Sequence, residues 1–252
     1  MTTLAKSTRT RLIKDIKEMM NYSENNKNIF YKHSEEDLLT GYALIIGDED
    51  SPYRYGNYMF RFKFPEDYPF SPPKVKYLTN DGIVRYHPNL YKNGTCCLSI
   101  LNTWKGDQWT ACQTILSVLL SISSIFQINS LTLEPGVRMY HPDVEKYNRI
   151  IEYKNVDFAI HDIVKFSQKA NDTNEKTSEM IHCISLFRNE IKEVFKGNLN
   201  SIMSWLEENK YMNNKSYSTS MYHMNITVEY VNLESKMTHL KSSFKEEIFD
   251  KN

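Results

Sequence analysis

Two adjacent thiols, Cys96 and Cys97, follow the turn-forming residues Pro88-Asn89 and Asn93-Gly94 and precede a low-charge apolar run, Leu98-Ser99-Ile100-Leu101. A cysteine held by a turn at the edge of a core is suited to nucleophilic chemistry. Its thiolate attacks carbonyls and thioesters, and turn backbone can be aimed at the oxyanion that forms. The same pair also reads as two small apolar residues buried without a role. His87 and Cys97 are the residue types of a papain-like hydrolase, yet nothing Gly-rich or acidic nearby would orient the histidine. A zinc site built from His87, Cys96, Cys97 and Cys112 lacks the spacing of an ordinary tetrahedral chelate, because two of its members are neighbours.

Composition narrows the setting. The 252-residue chain is 40% hydrophobic and 25% charged, with 31 basic and 31 acidic residues, so no global basic field argues for nucleic acid. Any selection of partners by charge must be local. No run approaches the roughly 18 apolar residues of a membrane span, and Met1–Arg9 contains no apolar secretory core. Four cysteines, two of them adjacent, do not make a disulfide framework. A reducing compartment, cytosolic or nuclear, is the expected home.

The elements that must position the thiols can be read in order. Ser7 or Thr8 is suited to cap a first helix whose Leu12, Ile13, Ile16, Met19 and Met20 share a face, with Arg9, Arg11, Lys14 and Lys17 on or beside the other. That basic side is either a solvated face or a dock for an acidic partner. Strand-like runs follow at 29–33, 38–46 and 55–64, the third alternating Tyr58, Phe60, Phe62 and Phe64 with Met59, Arg61 and Lys63, the period of a strand with one buried face. Short loops between consecutive strands predict an antiparallel meander. Four prolines between positions 65 and 73 impose a rigid, aromatic-laced loop before a fourth strand at 74–79. Thr110 is positioned to cap a buried central helix over 111–126, and helical pattern resumes at Pro142 and runs through Val164. After a polar linker, Ala170–Thr177, apolar stripes at Met180–Val194 and Leu233–Phe244 predict helices that pack together or back on the first part.

In four places the sequence resembles the ubiquitin-conjugating enzymes: Phe-Pro-x-x-Tyr-Pro-Phe-x-Pro-Pro (64–73), His-Pro-Asn (87–89), Asn-Gly-x-x-Cys-Leu-x-Ile-Leu (93–101), and Trp109 ahead of the central helix. Ser51-Pro52-Tyr53 with Gly56, and Glu145–Ile150, also match. The resemblance implies an α+β fold with an N-terminal helix, a four-stranded antiparallel meander, a central buried helix and C-terminal helices. It divides the chain into a catalytic core at 8–166 and a helical C-terminal extension at 167–252, similar to the large, C-terminally extended members. It implies that Cys97, not Cys96, is the catalytic nucleophile, since Cys97 precedes Leu98 and stands eight residues after Asn89.

By that resemblance, Cys97 accepts ubiquitin or a ubiquitin-like modifier as a thioester from an activating enzyme that consumes ATP. A lysine amine of a protein substrate, presented with a ubiquitin ligase, then takes the acyl group. Asn89 is similar to the family's asparagine, credited with donating to the oxyanion or with holding the active-site loop. The family often places an acidic group beyond the central helix to help deprotonate lysine. The usual aspartate is missing here and Glu134 is the available carboxylate. Thr110-Ala111-Cys112 stands where many relatives have Ser-Pro-Ala, on the surface that with Phe70 and the first helix faces the ligase, so an altered ligase choice is expected. No cofactor, resident metal, nucleic acid or membrane is expected. The alternative within the same fold is a non-catalytic ubiquitin-binding scaffold.

Overall fold

The computed structural model describes residues 4–169 and 178–249, with side chains described as far as Phe244; the predicted linker at 170–177 lies outside the described residues. The chain opens with helix α1 (Lys6–Asn25) and four strands, β1 (Ile29–His33), β2 (Thr40–Ile46), β3 (Asn57–Lys63) and β4 (Lys74–Tyr77), in an antiparallel sheet of order β1-β2-β3-β4. The meander and the α+β class are as the sequence implied. Register pairs Tyr31 with Ala43, Ala43 with Phe60 and Phe60 with Tyr77, so these side chains form one inward-facing row. Gly41 serves this row. A Cβ there would lie 2.0 Å from the Tyr31 hydroxyl, which bonds His33 Nδ1, two residues along the same strand, at 2.8 Å.

Both ends of the helix predictions shift, for identifiable reasons. Neither Ser7 nor Thr8 caps α1: the Thr8 hydroxyl instead donates to the Glu66 carbonyl at 3.0 Å, tying the helix to the proline loop. The central helix α2 (Ile115–Ser123) starts later than Thr110, because Arg11 of α1 donates to the carbonyls of Ala111 and Gln113 at 2.7 and 2.6 Å and holds 110–113 as a turn. Thr114 is the cap, in a reciprocal box with Ser117.

A long helix follows in three parts: α3 (Asp143–Lys154), a π-helical stretch (Asn155–Asp162) and α4 (Ile163–Lys169). The wider turn changes the backbone pairing, and Asn57 Nδ2 from β3 donates to Ala159 O at 2.8 Å. Asn155 accepts from the Tyr58 hydroxyl at 2.7 Å and packs over Gly56, where a Cβ would meet its amide oxygen at 2.0 Å.

The C-terminal extension contains α5 (Glu179–Leu186), α6 (Arg188–Asn209), α7 (Tyr230–Phe249), and a feature absent from the helical prediction, a hairpin of β5 (Ser216–Ser218) and β6 (Asn225–Thr227). Its helices cover the second face of the sheet. Lys32 donates to Leu186 O and pairs with Glu190 at 2.6 Å, Arg61 and Lys76 both meet Glu179, and Tyr42 packs edge-on against His182. Met59, on the face that alternation marks as outward, is fully buried. One hydrophobic cluster includes Leu12, the sheet, α2 and Phe244. Among the described residues no helix is long and apolar enough to cross a membrane.

Candidate active site

The segment from Tyr86 to Leu101 is held by short-range bonds that its sequence makes available. Tyr91 N donates to Thr95 O and Gly94 N to Tyr91 O, closing the turn after Leu90. Gly94 takes φ +90° and presses against β4, where a Cβ would sit 3.0 Å from Tyr77 O; Asn93 caps the same turn by accepting from Thr95 N at 3.0 Å. Tyr77 N donates to Gly94 O at 2.8 Å, so the edge of the sheet is what places the cysteines.

The two thiols then part company. Cys96 is 1% exposed and belongs to the hydrophobic cluster, and burial pushes its thiol well above the ordinary range. Cys97 is also buried, at 9% exposure, but is not a member of that cluster. Its sulfur is in no disulfide. Its backbone is held from both sides by one residue: Cys97 N donates to Asn89 O at 2.8 Å, and Asn89 Nδ2 donates to Cys97 O at 2.6 Å. Asn89 therefore sits in the loop-holding arrangement.

His87 holds the other side of that loop. Nδ1 accepts from Asn89 N at 3.0 Å, which leaves Nε2 to carry the proton and donate to Ile125 O at 2.9 Å. The ring is fully buried, and desolvation pulls its pKa down to about 3, so it is neutral. With both nitrogens engaged on backbone, the imidazole is not disposed as the base of a Cys–His hydrolase. Among the described residues no cluster of three or more His, Cys, Asp or Glu is arranged to hold a metal ion.

Thr103 is a residue that the sequence reading missed. Its hydroxyl accepts from Leu98 N at 2.9 Å and lies 2.8 Å from Cys96 O, bracketing Cys97 on its C-terminal side. Asn102, left-handed at φ 57°, turns the chain there and accepts from Trp109 N, while Trp109 Nε1 donates to Pro69 O at 2.7 Å. The Trp109 motif and the proline loop are thus two ends of one brace. Beside this brace runs an open groove lined by Asn102, Thr103, Trp104, Lys105, Gln108 and Pro135. Another is lined by Pro72, Pro73, Val75, Thr95, Cys96 and Thr103.

Glu134 lies just ahead of the Pro135-Gly136 turn. Its Oε1 accepts from the Tyr222 hydroxyl at 2.5 Å and faces Arg85 Nη2 at 3.7 Å. Arg85 and Tyr222 also escaped the sequence reading. Arg85 precedes the Tyr-His-Pro-Asn run as one cation among aromatics, and Tyr222 stands in a polar stretch more than 130 residues away. On the opposite flank Phe70 is 75% exposed, and Arg9, Lys14 and Lys17 point to solvent, whereas Arg11 is committed to Asp15 and to the 111–113 turn.

Comparison with known proteins finds a sequence model of a family, described as Ubiquitin-conjugating enzyme, matching residues 11–153. Ubiquitin-conjugating enzyme E2 Z of Danio rerio is 40% identical over 158 residues, 62% of this chain and 48% of that protein. The Homo sapiens protein of the same name is likewise 40% identical over 158 residues, covering 44% of its length. Probable ubiquitin-conjugating enzyme protein 17 of Caenorhabditis elegans is 37% identical over 154 residues, 57% of this chain and 21% of that protein. The match thus spans about half the length of these relatives, or less.

Proposed function

Because the chain belongs to the ubiquitin-conjugating enzyme family, we propose that it carries ubiquitin, or a ubiquitin-like modifier, as a thioester on Cys97 and passes it to a lysine amine or to a ligase. The observation that carries this reading is the difference between adjacent thiols: Cys96, 1% exposed, is packed into the hydrophobic cluster, while Cys97, 9% exposed, lies outside that cluster on a backbone clamped by Asn89.

The chemistry follows from that geometry. The Cys97 thiolate attacks the thioester carbonyl on the activating enzyme, whose own thiolate leaves. An incoming amine then attacks the Cys97 thioester, an amide forms, the Cys97 thiolate leaves, and the amine's surplus proton passes to a base or to water. Each step passes through a tetrahedral oxyanion, and Asn89 is the side-chain amide bonded to the carbonyl of the reacting residue. Its bond to Cys97 O supports a role in fixing the loop, with the second Nδ2 hydrogen left for the oxyanion. Glu134, as the carboxylate proposed to aid lysine deprotonation, acts from within its contacts to Tyr222 and Arg85. The grooves beside Thr103 are proposed to take the modifier's extended tail and the approaching lysine. Phe70 and the exposed cations of α1 are proposed to meet the ligase and the activating enzyme.

Incubation with activating enzyme, ATP and ubiquitin, followed by a non-reducing gel, tests the proposal. A thiol-sensitive adduct that Cys97→Ala removes supports a carrier. Absence of an adduct with every activating enzyme and modifier tried would favour a binding scaffold instead.

A further inference from the structure

The hairpin turn of the C-terminal extension reaches across to the loop that holds Cys97, and Arg85 is where they meet. The Arg85 guanidinium carbon lies 3.7 Å from the ring centre of Tyr91 and 4.4 Å from that of Tyr222, so the cation is enclosed between two aromatic faces. Its Nη2 donates to the carbonyl of Pro88, the residue before Asn89. Its backbone is held as well, with Tyr147 donating to Arg85 O at 2.9 Å and Arg85 N facing Met224 Sδ at 3.4 Å.

The turn that supplies Tyr222 is itself tightly held. Asp143 accepts from Ser220 Oγ at 2.7 Å and from Met221 N at 2.8 Å, and Tyr222 and His223 both adopt left-handed backbone, with φ 62° and 49°. A bulky residue persists in that region only where its surroundings over-determine it. Here the surroundings are Arg85, Glu134 and the edge of Tyr147.

We infer that the C-terminal extension completes the active-site loop: Tyr222 clamps Arg85, and Arg85 holds the Pro88 carbonyl so that Asn89 stays on Cys97. Tyr222 and Arg85 are thus positioning residues. The extension's turn is a working part of the transfer site, although it lies beyond the segment that the family model matches. The catalytic part of this inference rests on the proposed carrier function; the clamp itself does not.

The test compares the wild-type 252-residue chain with Tyr222→Leu, which keeps apolar bulk but offers no aromatic face, Tyr222→Phe, which loses only the hydroxyl, and Arg85→Lys. Hydrogen exchange is followed at residues 86–97, and discharge of the purified ubiquitin thioester to free lysine is timed. Tyr222→Leu and Arg85→Lys should speed exchange at Asn89 and Cys97 amides about tenfold, leave α6 unchanged, and slow the maximal discharge rate about tenfold with little change in the KM for lysine. Tyr222→Phe should restore most of both. Unchanged exchange at 86–97 in both Tyr222→Leu and Arg85→Lys overturns the clamp. Faster exchange with undiminished discharge overturns its catalytic role. Faster exchange in a protein whose wild type takes no thioester leaves the clamp standing and removes the proposed function instead.

Discussion

Replacing His87 with glutamine isolates a proton that the native fold excludes. The imidazole is fully buried with a pKa of about 3, against about 6.5 in an unfolded chain. Between these values the unfolded state binds a proton that the native state does not, so stability rises with pH across the window and falls as pH drops from 6.5 toward 3. At pH 5.0, one and a half units below the unfolded value, the loss assigned to His87 is about 2 kcal/mol, at 1.36 kcal/mol per unit; at pH 7.5 it is close to nothing. Urea unfolding of wild type and His87→Gln at both pH values reads this directly. The variant should be weaker at pH 7.5 by about 1–2 kcal/mol, having lost at least one of the bonds to Asn89 N and Ile125 O. It should lose about 2 kcal/mol less than wild type on going to pH 5.0. His33, which burial also pulls down, is common to both proteins and cancels. Equal pH dependence in the two would mean that the ring reaches solvent protons, and the reasoning would fail.

Three further outcomes follow. Lys154 pairs with Asp81 at 3.1 Å and Asp157 at 2.9 Å in the interior; Asp157 keeps Lys236 at 3.0 Å, so Lys154→Met should leave Asp81 without its cation and destabilise the fold by about 3 kcal/mol in denaturant titrations. Gly47→Ala would put a Cβ 1.8 Å from Tyr53 O in the turn between β2 and β3, and calorimetry should register a loss of about 1–3 kcal/mol. Asn89→Ala leaves the Cys97 carbonyl without its 2.6 Å donor; unfolding should show about 1–3 kcal/mol of destabilisation, and thioester discharge should slow more than loading does.

The meander was legible because strand period and turn chemistry are local: Tyr58, Phe60 and Phe62 announce a buried row, and Gly47–Pro52 and the proline loop punctuate it. The thiol pair, Asn89 and Gly94 were legible for the same reason, since a turn must be built from residues able to make it. What escaped was decided by contacts distant in sequence. Met59 reads as outward and is buried, on a sheet face whose Tyr42 and Arg61 meet the extension and whose Asn57 meets Ala159. Thr110 reads as a cap but is displaced by an arginine a hundred residues earlier. The hairpin that delivers Tyr222 comprises two three-residue strands in a polar stretch, too short for a periodic signal. Arg85 has no meaning until that turn is folded against it.

The central claim concerns one sulfur, and the most direct measurement weighs what is attached to it. The Cys97→Ser chain, charged with activating enzyme, ATP and ubiquitin, should gain the mass of one ubiquitin less one water in an adduct that survives thiol, with fragmentation locating the ester at position 97 and not at Cys96. An adduct that remains thiol-sensitive in Cys97→Ser, or that maps to Cys96 or Cys112, would contradict the account.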